Sequence, residues 1–351
     1  MLPVHKVNPL TDHRWPLFLQ HHRDASIFHT SNWLEALRRT YAYEPFVYTT
    51  SPPGAQITNG LVVCRIESWI TGTRMVAIPF SDHCQFLTDD LETLEMLMSA
   101  LKHDLERENW KYIEVRPRVA PDSVLEGQSF CVNGKQFYIH TLDLRVDTDT
   151  LFRSFHKSCI QRSIRRGERE RLIYEEGRSE SILRKFYHLF LLTRRRHQLP
   201  PQPIAWFQNL IPCLGDRLKI RVVSKKDGPP VASILTLIHN RTVVYKYGCS
   251  DERFHKCGGM PYLFWHAIQD AKSNGAEEFD FGRSDLDNPG LISFKDNWGT
   301  TRSQLSYYRY PAPLRKAGTM YLPIRTAKKM LSVLPDCCLT TAGRLLYRHM
   351  G

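Results

Sequence analysis

Nowhere in the 351 residues does an apolar run approach the roughly 20 residues that a bilayer-crossing helix needs, so no transmembrane segment is expected. The start, Met1-Leu2-Pro3-Val4-His5-Lys6, has no apolar stretch behind a basic one, so no signal peptide is expected either. The nine cysteines form no C-x-x-C pair, and only Cys337 and Cys338 are adjacent. That pattern argues against a zinc site and a disulfide framework, and for reduced thiols and a cytoplasmic protein. Acidic charge is scarce in one half only. Residues 1–140 hold 13 Lys/Arg against 16 Asp/Glu, a net of −3, whereas residues 141–351 hold 35 against 20, a net of +15. The second half is therefore expected to attract phosphates, nucleic acid or an anionic membrane face, the plainer alternative being a generally basic soluble surface.

What is present is enough apolar material, 42%, for two domains with cores of their own. In the first half, Glu44–Thr50, Gly60–Glu67 and Arg74–Phe80 read as strands, with Ser51-Pro52-Pro53-Gly54 as a loop between two of them. Leu91, Leu94, Leu97, Met98, Leu101 and Leu105 recur at helical spacing behind a cap at Asp89 or Asp90. Tyr112–Arg116 and Lys135–Leu144 follow as strands. The second half opens on a basic segment, Arg153 to Arg171, with seven Lys/Arg and two Glu. A helix with Ile182, Phe186, Leu189 and Phe190 on one face comes next, then a short helix over Ile204–Ile211. Leu218–Ser224, Val231–His239 and Arg241–Gly248 read as antiparallel strands, the last two joined by a tight turn near Asn240. A glycine-bearing loop, His255–Met260, opens a helix with Pro261 in its first turn that stops at Gly275. Glu278–Gly282 and Leu305–Tyr310 complete the strands. In both halves an amphipathic helix leads into a strand with an acid between apolar residues, Ile113-Glu114-Val115 and Phe279-Asp280-Phe281, which suggests a duplication.

The chemistry concentrates in residues 245–299. A loop of free N–H groups at a helix start is a natural seat for an anion, and Arg283, Asp285 and Lys295 cluster just after the strand beside that helix, where open α/β units bind ligands. The order strand, glycine loop, helix, strand resembles the core of the GNAT acyltransferase superfamily. The run Phe279-Asp280-Phe281-Gly282-Arg283-Ser284, followed by Gly290-Leu291-Ile292-Ser293-Phe294-Lys295-Asp296-Asn297-Trp298-Gly299, resembles its FemAB-like and CelD-like branch. Pro79-Phe80-Ser81-Asp82-His83-Cys84 resembles the first domain of that branch. The resemblance spans roughly residues 30–310. It implies an α/β (α+β) chain of two tandem GNAT-like domains, each a mixed, largely antiparallel sheet flanked by helices. It also implies transfer of an acyl or aminoacyl group to an amine or hydroxyl of a cell-envelope or polysaccharide-related acceptor. In Fem-type enzymes a Phe-Lys pair lines the reaction channel and its lysine stabilises negative charge, a role that would fall on Phe294 and Lys295. The GNAT pyrophosphate loop usually reads Arg/Gln-x-x-Gly-x-Gly/Ala. Here the best register, His255-x-x-Gly258-Gly259-Met260, departs at its first and last positions.

The resulting expectation is a domain over 1–140, a catalytic domain over 141–312 and a basic helical tail over 313–351, which has seven Lys/Arg against Asp336 alone. Lys295 is the expected oxyanion stabiliser and Asp285 the candidate base. Tyr247, Gly258, Gly259, Arg283 and Phe294 are expected to bind the donor. Lys157, Arg162, Arg165 and Arg166, close to helical spacing, are expected to meet a phosphate-bearing partner, supported by the run Arg194-Arg195-Arg196. Asp280 reads as a structural partner, Asp82 and His83 as a hydrogen-bonded turn, Cys249 and Cys257 as buried thiols. No metal and no tightly bound cofactor is expected. The donor is acyl-CoA or aminoacyl-tRNA, with the irregular glycine loop and the +15 half favouring tRNA or another polyanion. In the tail, Ile324, Ala327, Leu331 and Leu334 form a candidate amphipathic helix for peripheral contact with the inner membrane face. The alternative from another class is a non-catalytic nucleic-acid- or partner-binding protein on a degenerate GNAT scaffold.

Overall fold

The β-branched and aromatic runs become strands, and the runs with helical periodicity become helices, in the computed structural model, which describes residues 3–312 and 335–351. In chain order these are β1 (His5–Val7), α1 (Arg14–His21), α2 (Ser31–Tyr41), β2 (Glu44–Thr49), β3 (Leu61–Ile66), β4 (Arg74–Val76), α3 (Leu91–Arg107), β5 (Ile113–Val115), α4 (Asp122–Gly127) and β6 (Cys131–Asp143). Then come α5 (Thr148–Ser154), α6 (Arg162–Arg169), β7 (Ile173–Gly177), α7 (Glu180–Arg196), α8 (Ile204–Leu214), β8 (Leu218–Ser224), β9 (Pro230–His239) and β10 (Thr242–Ser250). The remainder is α9 (Gly259–Ser273), β11 (Glu278–Asp285), α10 (Pro289–Asp296), β12 (Thr301–Tyr310) and α11 (Asp336–Tyr347).

Contacts divide the described chain into two units: residues 3–137, 304–312 and 345–351, and residues 138–303 and 335–344. In the first unit the strand order is β1-β2-β3-β4-β5-β12. Every pairing is antiparallel except β4 with β5, which α3 joins as a parallel crossover. Asp90 caps α3 by accepting from the Thr93 N–H, and Leu94, Leu97, Met98 and Leu101 bury its apolar face. Strand β4 is shorter than its sequence suggests. After Val76 the chain turns, with Ile78 and Phe80 at positive φ, so the stretch to Phe80 cannot stay extended.

The second unit repeats the plan in the order β7-β8-β9-β10-β11-β6. Here β7 to β10 are antiparallel neighbours, and α9 joins β10 to a parallel β11. The duplication suggested by two helix–strand motifs thus extends to the order of six strands and to the pairing senses of the first five. Asn240 at φ 50° makes the hairpin turn between β9 and β10. One face of this sheet is covered by α9 through Leu263, Phe264 and Ile268, with Trp298 and Phe155 in the same core. Phe186 and Phe190 of α7 pack edge-on to Phe207 of α8 and to Tyr247.

The division differs from a simple cut at residues 140 and 312. Residues 304–312 lie with the first unit because Tyr308, Arg309 and Tyr310 pair with Val115, Glu114 and Ile113. The described part of the tail divides as well. Asp336 pairs with Arg195 in the second unit, and Arg74 holds the carbonyls of His349 and Gly351 in the first. The candidate tail helix of Ile324, Ala327, Leu331 and Leu334 lies outside the described residues.

Candidate active site

Strands β10 and β11 run parallel only over Thr242–Val244 and Glu278–Asp280. Beyond that ladder both continue, to Ser250 and Asp285, but they part. Two local features of the sequence produce the parting. A bulge between Tyr245 and Tyr247 turns β10, and Gly282 at φ 71° turns β11. The result is a wedge in which backbone groups of two strands face a gap.

Lys295 closes the β11 side. It sits on α10, is 2% exposed, and its Nζ donates to the carbonyls of Gly282 at 2.9 Å and Arg283 at 2.8 Å. Asn288 starts α10 by accepting from the Leu291 N–H, which aims the helix so that Lys295 reaches back over the end of β11. Asp280, also buried, accepts from the Gly282 N–H at 2.7 Å, so the turn of β11 at Gly282 is held by two ionisable groups, Asp280 and Lys295. Phe294 packs on Phe264 and Trp298 and forms the apolar wall beside the lysine. Arg283 and Asp285 both end in solvent.

Three buried polar atoms in this neighbourhood have no hydrogen-bond partner: Ser284 Oγ on β11, Trp298 Nε1 behind α10, and His140 Nε2 on β6. Native interiors satisfy nearly all such groups, with protein or with ordered water. His140 lies fully buried with Nδ1 3.4 Å from both Thr300 Oγ1 and Asp296 Oδ1, and Thr300 in turn donates to the Lys295 carbonyl. Burial, and then the nearby Lys295 charge, push the His140 imidazole down to about 4, so it is neutral beside the ammonium. No motif spacing points to His140, Ser284 or Thr300. His140 precedes Lys295 by a whole domain's length of chain and stands on a strand that reads as ordinary core.

On the β10 side, Tyr247 is buried and its hydroxyl accepts from Trp206 Nε1 at 2.9 Å. The glycine loop departs from an open anion cradle. Gly258 stands at φ 73°, and a Cβ there would lie 2.2 Å from the Ser163 carbonyl, so α6 occupies the space in front of it. Gly259 is buried against Val231 and Val223, and Gly167 lets α6 lie on Tyr262. These glycines serve close packing of α6 on α9. The start of the loop already has its anion, because Asp251 accepts from the Arg253 N–H and pairs with its guanidinium at 2.6 Å. Ser250 Oγ and His255 Nε2 lie 2.9 Å apart. The packing brings the basic segment to this loop. Lys157, Arg162, Arg165 and Arg166 are all exposed, while Ile160, Ile164 and Gly167 are buried. Arg169 extends the same stripe one turn further. Cys249 is a buried thiol whose pKa burial raises, and Cys257 is buried too.

Residues 154–294 match the family model of the acetyltransferase (GNAT) domain. That stretch lies within the second unit. No curated protein sequence matches the chain. Among solved structures, FemX has the same fold at 15% identity and a TM-score of 0.70, over 92% of this chain and 99% of its own. L-PGS from Bacillus licheniformis matches at 13% identity and a TM-score of 0.58, over 98% of each chain. A tandem GNAT protein from the clavulanic acid biosynthesis pathway matches at 8% identity and a TM-score of 0.54, over 88% of this chain and 98% of its own. The match over residues 154–294 gives that segment the model of a GNAT acetyltransferase domain, and the solved structures share the fold of the chain as a whole. No helix among the described residues is long and apolar enough to cross a membrane.

Proposed function

We propose that the GNAT domain of the second unit transfers an acyl or aminoacyl group from an activated donor to an amine or hydroxyl of a cell-envelope acceptor, and that the donor carbonyl lies in the wedge beyond Val244 and Asp280. The observation that carries this is the buried Lys295 ammonium fixed at the mouth of that wedge. The acceptor nitrogen or oxygen adds to the carbonyl carbon, and the carbonyl π pair moves to oxygen. The tetrahedral oxyanion collapses with cleavage of the donor's C–O or C–S bond. Lys295 supplies a positive charge already desolvated and held in place, which costs no reorganisation when the oxyanion forms. Phe294 keeps water from the intermediate. Asp285, exposed at the end of β11, is the base that takes the acceptor's proton.

For the donor, the filled space before Gly258 and the Asp251–Arg253 pair argue against a coenzyme A pyrophosphate seated in that loop. The stripe of Arg162, Arg165, Arg166 and Lys157 beside it favours a large polyanion such as aminoacyl-tRNA. Arg283 and Tyr247 border the same wedge and are the donor contacts on its two sides. Titration of the full chain with labelled tRNA and with acetyl-CoA, each at two salt concentrations, tests the choice. Binding of tRNA that weakens steeply with salt is expected. Tight acetyl-CoA binding insensitive to salt, with no tRNA binding, would reverse the donor while leaving group transfer in place.

A further inference from the structure

Large apolar side chains that reach solvent are scattered over most of the chain, but five of them share one part of the first unit. Trp69 is 88% and Ile70 51% exposed, on the turn between β3 and β4. Leu345, Leu346 and Met350 are 65%, 40% and 57% exposed on the last turns of the chain. The two segments are bound to each other. Ser68 Oγ and His349 Nδ1 lie 2.9 Å apart, the His349 ring meets Trp69 edge-on at 5.6 Å, and buried Arg74 holds the His349 carbonyl at 2.8 Å. Ser68 Oγ also accepts from the N–H groups of Ile70 and Thr71, which folds the turn so that Trp69 and Ile70 stand outward. The turn is therefore a built tip with a rigid base.

We infer that this face is a docking surface for an anionic lipid bilayer. An indole at the tip of a turn, flanked by aliphatic side chains, suits the headgroup boundary, where an amphipathic ring is favoured. The bordering charge is complementary to an anionic membrane. Lys111, whose side chain lies against Gly72, and Arg348 are exposed and in no ion pair among the described residues. The nearby acid, Glu67, is shared with Arg65. A second copy of the same basic face would be repelled by that charge, and an anionic bilayer is attracted by it. The inference stands independently of the donor and of Lys295.

The test uses the chain's own fluorescence. Six of its seven tryptophans are buried, so a shift on adding lipid reports Trp69. Phosphatidylglycerol vesicles are expected to shift the emission to the blue and saturate it. Phosphatidylcholine vesicles should do so far more weakly, and salt should reverse the effect. In co-sedimentation with phosphatidylglycerol vesicles, Trp69→Ser is expected to weaken binding about tenfold or more by removing apolar burial. Lys111→Glu with Arg348→Glu is expected to weaken it to a similar degree, about tenfold, on anionic vesicles only. Circular dichroism checks that each variant is folded. Absence of binding to phosphatidylglycerol, equal binding by Trp69→Ser, or a blue shift that follows protein concentration without lipid would each overturn the inference, the last by marking self-association.

Discussion

Replacing Lys295 by methionine removes the ammonium while keeping most of the side chain's length and apolar stem. Two consequences follow, and they are separable. The first is structural. Lys295 Nζ donates to two carbonyls, those of Gly282 and Arg283, from a site only 2% exposed. A hydrogen bond to a charged group contributes about 1.5–3 kcal/mol, and truncation leaves buried acceptors without partners. The ammonium no longer has to be desolvated in the variant, which offsets part of this loss. Lys295→Met should therefore lower the unfolding free energy by about 2–4 kcal/mol, and Lys295→Ala by more, since it also opens a cavity. A lysine acting only on the oxyanion would leave the fold untouched, and this geometry does not allow that. The second consequence is kinetic. Loss of one fixed group at the oxyanion costs on the order of 10²–10³ in rate, or about 3–4 kcal/mol of transition-state stabilisation. The assay is single-turnover decay of the donor that the binding titrations identify, with hydroxylamine as acceptor, at a temperature where melting curves show the variant folded. A folded Lys295→Met that retains the native rate would refute the catalytic role and leave Lys295 as a brace of β11 at Gly282 and Arg283.

Asp285→Asn should leave the melting temperature unchanged, because the side chain is exposed, yet lower the transfer rate by about 10²–10⁴ if it is the base; the pH–rate profile of the variant checks this. Gly258→Ala should destabilise the second unit by about 1–3 kcal/mol or more in urea unfolding, because φ 73° is strained for alanine and its Cβ would meet the Ser163 carbonyl at 2.2 Å. His140 and His239 are both held down to about 4 by burial, from an ordinary value of 6.5, so the unfolded chain binds protons more readily than the folded one between those values. Their stabilisation is complete above 6.5 and is lost as pH falls toward 4, so melting temperatures should drop over that window, and less so in His140→Gln. Charge reversal at Arg162, Arg165 and Arg166 together should reduce the salt dependence of tRNA binding by roughly one counterion-slope increment for each phosphate the protein no longer neutralises, read from log Kd against log salt.

Much of the second unit was legible in the sequence because its signals are local. Alternating apolar residues, the Asn240 turn and the Gly275 stop each depend on neighbours within a few positions, as does the Asp90 cap in the first unit. Leu218–Ser224 forms a strand over the bounds that its composition suggests. Phe294-Lys295 stands out through the resemblance of residues 290–299 to the FemAB-like pattern. Long-range pairing left less trace. Nothing in Thr301–Tyr310 reveals that its second half joins Ile113–Val115 in the first unit. Nothing in Tyr138-Ile139-His140 reveals an imidazole beside Asp296 and Thr300. Gly258 is legible as a special position, but its reason is the approach of Ser163 from a helix nearly a hundred residues earlier, and a glycine forced by helix packing looks the same in sequence as one that cradles a phosphate.

The duplication also lets the two units be compared at the same place. Each has a parallel strand pair that ends on an acid, Val76 with Glu114 in the first and Val244 with Asp280 in the second. Two residues beyond the acid, each has a carbonyl facing the place where the strands part. In the first unit that carbonyl belongs to Arg116 and is bonded by the Cys84 N–H at 2.8 Å, while the Ala77 N–H bonds the Glu114 carbonyl at 2.8 Å. The chain after β4 therefore folds back into the gap through the strained residues Ile78 and Phe80 and fills it with its own backbone. Glu114 is paired there with Arg116 at 2.6 Å, so the acid is neutralised by its neighbour. In the second unit the corresponding carbonyl is that of Gly282, and its partner is the Lys295 ammonium. The replacement of a main-chain N–H by a charged side chain on a separate helix changes what the gap can do. A backbone plug is permanent, because withdrawing it would expose two carbonyls and unwind β4. A side-chain ammonium satisfies the same carbonyl from a separate helix. The first unit's gap is thus closed by backbone, and the second unit's Gly282 carbonyl is met by a side chain, the difference on which the proposed site in the second unit rests.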